Sequence, residues 1–192
     1  MGKKKLLNAK GFTLIELLAV IVIMGILMMV AIPAMTTFME NARKDTFISI
    51  AESYVNAARY KVLNDGYSCS SAGSTMSSSA LSPGTYYIQI DKDGKDNLLE
   101  EPAVSPWGTA NLVGYVQIDV KYENELPKYS YSILLEEDKN GVVRRGLYNA
   151  PGGTDVSDTP SIVSEKSLGR EYVSSVIEGS LSEQSVYCTQ VN

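Results

Sequence analysis

From Leu17 to Met39 the chain runs through 23 consecutive uncharged residues, and this run limits the fold more than any other feature. As a helix at 1.5 Å per residue it extends roughly 34 Å, enough to cross a hydrocarbon core of about 30 Å. Over residues 12 to 39 the only ionisable side chain is Glu16. Before the run stand Lys3, Lys4, Lys5 and Lys10 with no acid among them. Acids dominate after it, so the positive-inside rule puts the N-terminus in the cytoplasm and the remainder on the exported side.

A secretory signal also starts basic and turns apolar, but its cleavage site follows the apolar region. Here the glycine next to the basic cluster is Gly11, ahead of the run. A cut there removes the charge and keeps the membrane helix. Glu16 is the informative residue, because a carboxylate in hydrocarbon costs a few kcal/mol or more and is a functional-site hypothesis by default. It lies four residues past such a cut, near enough to the interface to snorkel. Alternatively, cleavage creates an α-amino cation on Phe12, and a neighbouring copy shifted along the helix axis presents that amine to Glu16. Such a pairing sets the axial register between subunits.

Composition removes whole classes of chemistry. The chain has no histidine and two cysteines, Cys69 and Cys188, which excludes histidine-dependent catalysis and Cys/His zinc sites. Of 17 Lys+Arg and 22 Asp+Glu, the four leading lysines leave 13 basic residues against 22 acidic, a balance of -9 beyond Gly11. That acidity opposes non-specific nucleic-acid binding. No nucleophile, base and oxyanion donor form a set, so an enzyme is not expected. No cofactor is expected either.

Lys10-Gly11-Phe12-Thr13-Leu14-Ile15-Glu16-Leu17 resembles the cleavage and N-methylation signature of type IV pilins and of the pseudopilins of type II secretion and competence systems. The resemblance covers residues 1 to about 63 strongly and the rest in general layout. It implies an α+β type IV pilin fold, a long N-terminal helix packed on a C-terminal antiparallel sheet. It further implies cleavage between Gly11 and Phe12 and N-methylation of Phe12 by a prepilin peptidase. The unassembled precursor would be a single-pass protein of the cytoplasmic membrane. An assembly ATPase and platform protein would then extract it into a homo-oligomeric filament on the cell surface, used for adhesion or surface motility. Alternatives within the class are a pseudopilin of a secretion or DNA-uptake system, and a minor tip pilin that binds a ligand.

The expected organisation is a leader over 1–11, a transmembrane and polymerisation helix over 12–39 and a soluble head over 40–192. Phe47, Ile50, Ala51, Tyr54, Ala58 and Val62 recur at three- and four-residue spacings, one apolar stripe on a helix over 40–63. Asn64-Asp65-Gly66 offers a stop. Pro33, which has no amide N-H, should kink or locally melt the first half, with Gly25 adding looseness. A Ser-rich loop over 64–112, a sheet over 113–148 and a variable tail over 149–192 complete the head. Strand alternation runs through residues 86–90, 114–122, 128–137 and 142–148, and Asn140-Gly141 marks a hairpin between the last two. Ser105-Pro106-Trp107-Gly108 is similar to a turn before the sheet of many pseudopilins, although Trp107 can equally be a core plug. In the tail, residues 162–179 read as either strand or short helix.

Asp91, Asp93, Asp96 and Glu100 cluster as calcium ligands do, but their spacing departs from the EF-hand loop and fits turn chemistry better. No metal is expected. An even cysteine count on an oxidising side favours a Cys69–Cys188 disulfide. Its span of 119 positions would stabilise the fold by roughly 4 to 5 kcal/mol on chain-entropy arithmetic. Many pilins have a C-terminal disulfide, but theirs links two residues of the C-terminal half, whereas Cys69 precedes the sheet.

Overall fold

The computed structural model describes residues 11–64, 67–71, 74–76, 83–90, 98–99, 103–108, 111–138, 144–148, 161–177 and 188–190. Two compact units divide the chain, Met1–Asn41 and Ala42–Asn192. A single helix, α1, runs from Leu14 to Asn64 and contributes to both. The architecture is α+β, with this N-terminal helix and an antiparallel sheet, as the resemblance implied.

In the first unit α1 buries nothing: every residue from Gly11 to Met39 is exposed, Leu14 at 83% and Met29 at 79%. The helix is apolar on all sides and is long and apolar enough to cross a membrane. It continues unbroken through Gly25 and Pro33.

In the second unit the helix becomes one-sided. Phe47, Ala51, Tyr54, Ala58 and Val62 are buried as their spacing predicts, joined by Ile48 and Val55, while Ile50 is half-buried. They pack with the inner face of a sheet built from β3 (Gly84–Ile90), β4 (Asn111–Glu123), β5 (Leu126–Asp138), β6 (Arg144–Leu147) and β8 (Val173–Ile177), hydrogen-bonded in that order. The two-residue strand β7 (Val163–Ser164) also pairs with β5. Register fixes the core: Val116 opposes Ile88 and Ile133, and Ile118 opposes Tyr86 and Tyr131. Because side chains alternate faces, these form continuous rows toward the helix. Gly114 stands where the backbone needs glycine, with φ +154° and the site of a Cβ only 2.0 Å from the Leu134 carbonyl oxygen.

Asn124 and Glu125 turn the β4–β5 hairpin with φ of 52° and 65°. Two successive positive φ values are the signature of a type I′ turn, whose twist suits a two-residue connection. Asn140-Gly141, expected to turn the next hairpin, lies outside the described residues.

The expectation of a Ser-rich loop over 64–112 is corrected. That stretch holds β1 (Tyr67–Ser71), β2 (Ser74–Met76), β3, which the alternation over 86–90 anticipated, and the first residues of β4. The reason is pairing distant in sequence: β1 is the centre of a three-stranded sheet between β2 and the C-terminal β9 (Cys188–Gln190). Its partner strand supplies the hydrogen bonds that the local composition gives no hint of. The tail segment 162–179 proves to be both candidates at once, with β7, 3-10 turns at Glu165–Ser167 and Arg170–Tyr172, and β8. Arg59–Glu165 and Arg170–Asp45 ion pairs tie these turns to α1.

Candidate functional site

Phe12, Thr13 and Glu16 sit together where α1 begins. Thr13 is the residue before the first helical position, and its side chain and that of Glu16 close on each other. The Thr13 backbone N-H and hydroxyl both donate to Glu16 Oε2 at 2.8 Å, while the Glu16 N-H donates to Thr13 Oγ1 at 3.4 Å. This is a capping box, in which two orphan donors of a helix start are satisfied reciprocally. Glu16 also places negative charge in the first turn, where the helix dipole favours it. Both bonds from Thr13 fall on Oε2, and among the described residues Oε1 has no hydrogen-bond donor, so it can accept one from elsewhere. The Phe12 side chain is 91% exposed. Sequence reading found Phe12 and Glu16 but missed Thr13, although T-x-x-E ahead of an apolar run was the available signal.

Gly25 and Pro33 lie further along the exposed helix. Nothing comes within 4 Å of a Cβ built on Gly25, so no contact inside the chain calls for glycine there. Pro33 cannot donate to the Met29 carbonyl, which breaks one rung of the helical ladder. The Thr36 and Thr37 hydroxyls donate to the Pro33 carbonyl at 2.9 and 3.2 Å, a competing bond that loosens helices slightly. Weak hydrogen bonding is thus concentrated over residues 29–37 even though the helix is continuous.

In the second unit, Ser105-Pro106-Trp107-Gly108 is a turn closed by the Gly108 N-H on the Ser105 carbonyl at 3.2 Å. Trp107 packs on Phe47 with ring centroids 5.8 Å apart, so the core-plug reading of this residue holds. The Arg145 guanidinium lies over the Trp107 ring, 5.1 Å from its centroid. The buried Glu137 carboxylate accepts from the Ser105 hydroxyl and pairs with Arg145 at 3.6 Å. These four residues anchor the turn to β5 and β6, a structural rather than a chemical arrangement. The Asp91–Asp96 cluster and Glu100 lie outside the described residues. Cys69 and Cys188 are Cα partners in the β1–β9 ladder.

A helix exposed and apolar over its whole circumference, opened by a threonine-glutamate cap and followed by a helix-on-sheet head, is consistent with the type IV pilin fold that the resemblance implied. The Prokaryotic N-terminal methylation motif matches residues 6–32. The chain is 31% identical over 110 residues to the type IV major pilin protein PilE1 of Neisseria gonorrhoeae, covering 51% of each protein. It thus spans about half the length of the curated relative it matches. No solved structure matches it. The motif and the relative are both of the type IV pilin kind, and the chain is similar to type IV pilins and pseudopilins in these parts.

Proposed function

We propose that this chain is a type IV pilus subunit, cut after Gly11 and N-methylated at Phe12 by a prepilin peptidase. The observation that carries the reading is the exposed apolar helix of residues 14–39 with one carboxylate, Glu16, near its start. Before assembly this surface lies in the cytoplasmic membrane with the head exported. After extraction by the assembly ATPase and platform protein, the same surface packs against other copies in an extracellular filament for adhesion or surface motility. Glu16 then takes the Phe12 amine of a neighbouring subunit on Oε1 and sets the axial register. Residues 29–37 together with Gly25 allow the helix to loosen as it packs.

Cys69 and Cys188 form a disulfide in this reading. Directly opposed residues of an antiparallel pair have Cα atoms about 4.5 to 5.5 Å apart, within the roughly 4.4 to 6.8 Å that a disulfide spans. The bridge locks the last strand to the segment that follows α1.

The test is expression of the full chain with and without a prepilin peptidase. Processing should shorten the chain by the leader and leave an N-methylated Phe12, and a Gly11 substitution should block it. An unprocessed chain in the presence of active peptidase contradicts the reading.

A further inference from the structure

A groove of about 480 Å³ opens where the end of α1, the β4–β5 hairpin and the 3-10 turn at Glu165 meet. Four consecutive residues of β5 line it, Lys128, Tyr129, Ser130 and Tyr131. Successive strand residues point to opposite faces of a sheet, so a groove that touches all four follows the edge of the strand rather than either face. Lys128 and Ser130 stand on the outer face, and Tyr129 and the buried Tyr131 on the face toward α1.

The edge is open because its neighbour stops short. On the side away from β4, β5 pairs with β6 at Glu136 and with β7 at Ile133 and Ser132. β7 ends at Ser164, and Glu165 turns away in the 3-10 turn. From Leu126 to Tyr131, β5 has β4 on one side and, among the described residues, no strand on the other. The two-residue turn at Asn124-Glu125 closes on the Glu123–Leu126 pair, and backbone groups alternate in direction from there. Leu126, Lys128 and Ser130 therefore turn N-H and C=O toward β4, while Pro127, Tyr129 and Tyr131 turn theirs toward the groove. Pro127 fits that alternation, since proline is tolerated where its missing N-H faces away from the ladder. Tyr129 presents both a donor and an acceptor to the open side.

We propose that this edge takes up an extended acidic segment of another protein, which adds to β5 as a strand in line with β7. Charge sets the chemistry of the partner. In an exported region of net charge -9, the groove gathers Arg59, Lys121, Lys128 and Lys166 against Glu123 and Glu165. Both carboxylates are engaged, Glu165 by Arg59 and Glu123 by Lys128 at 2.9 Å, whereas Lys121 and Lys166 make no ion pair among the described residues. Lys121 also stands directly opposite Lys128 across the β4–β5 ladder, where like charges destabilise a sheet. An added strand places every second side chain on the outer face beside Lys128, and an acid there offsets the opposed lysines. Its other side chains fall beside the half-buried Tyr129, which suits an apolar residue. The fitting segment thus alternates acidic and apolar residues. A second copy of β5 fits less well, because joining two such edges brings like charges together. The inference does not depend on whether the assembled filament is a pilus or a pseudopilus.

The experiment is fluorescence anisotropy of the full chain in detergent micelles with a short, labelled, end-blocked peptide that alternates glutamate and valine. The comparisons are the same peptide with lysine for glutamate and the acidic peptide with a central proline. The acidic peptide should bind, and both comparison peptides should bind at least about tenfold more weakly. Lys128→Glu should weaken the acidic peptide about fivefold, and Lys44→Glu should leave it unchanged. Amide exchange followed by NMR should slow at Tyr129 on binding and stay the same at Ser130, whose N-H faces β4. That contrast separates a seated strand from charge attraction alone. Absence of acidic-peptide binding overturns the proposal. So does equal binding of the proline or lysine peptide, an affinity indifferent to Lys128→Glu, or an unchanged Tyr129 amide. Self-association that protects Tyr129 without any peptide would give the edge to a second copy and overturn it as well.

Discussion

Glu16 reaches back to the Thr13 backbone amide while Thr13 reaches forward to that of Glu16, so the carboxylate at the head of the apolar helix is held by its own chain. Among the described residues only one of its oxygens is used, which lets the same residue accept a second donor without giving up the cap. Thr13→Ala should therefore remove about 1 kcal/mol of helix-start stability and thin the sheared filament fraction, whereas Glu16→Ala should nearly empty it. Equal filament yields from the two variants would argue that Glu16 acts only as a cap.

Gly25 and Gly114 make a contrasting pair. Alanine at Gly114 places a Cβ 2.0 Å from backbone in a positive-φ residue and should destabilise the head by more than about 2 kcal/mol, read from denaturant unfolding of the full chain in detergent. Alanine at Gly25 meets open space, so unfolding should be unchanged and any effect should appear in filament yield alone. Loss of fold in Gly25→Ala would remove its assembly role.

The Glu137–Arg145 pair is the buried ionic contact of the turn network. Arg145→Ala strips the partner from a buried carboxylate and should cost about 3 kcal/mol. The double variant Glu137→Leu with Arg145→Met should recover most of that loss. A single-variant cost under about 1 kcal/mol would show that water already reaches the carboxylate.

Alkaline pH reports on the buried tyrosines. Burial raises the pKa of Tyr131, and that of Tyr54, which accepts the Ala103 N-H at 3.1 Å. With the folded value above the unfolded one, the folded state keeps a proton that the unfolded state releases. Stability is therefore intact below about pH 10 and falls as pH rises toward 12 for Tyr131. Tyr131→Phe should shallow that decline in a pH series of unfolding midpoints. An unchanged slope would assign the decline to other groups.

What was legible in the sequence was local. The stripe from Phe47 to Val62 and the alternation of Val116, Ile118 and Val120 are read from neighbours three, four or two residues away, and the fold keeps them. β1 was illegible because its partner, β9, lies more than a hundred residues on, and a serine-rich run has no apolar period of its own. The β4–β5 turn was missed because Glu125 takes a positive φ that glycine usually supplies. Glu136 and Glu137 look like a solvated strand end, yet both are buried. At the helix start, Glu16 stood out by charge, whereas Thr13 matters only through its bond to Glu16.

Peptide mass spectrometry of filaments sheared from the native cell tests the central claim most directly. The account predicts an abundant chain that begins at Phe12 with an N-methylated amine and is depleted from the sheared fraction of a Glu16→Ala strain. A processed chain confined to the cell envelope, beside normal filaments built from another subunit, would contradict it.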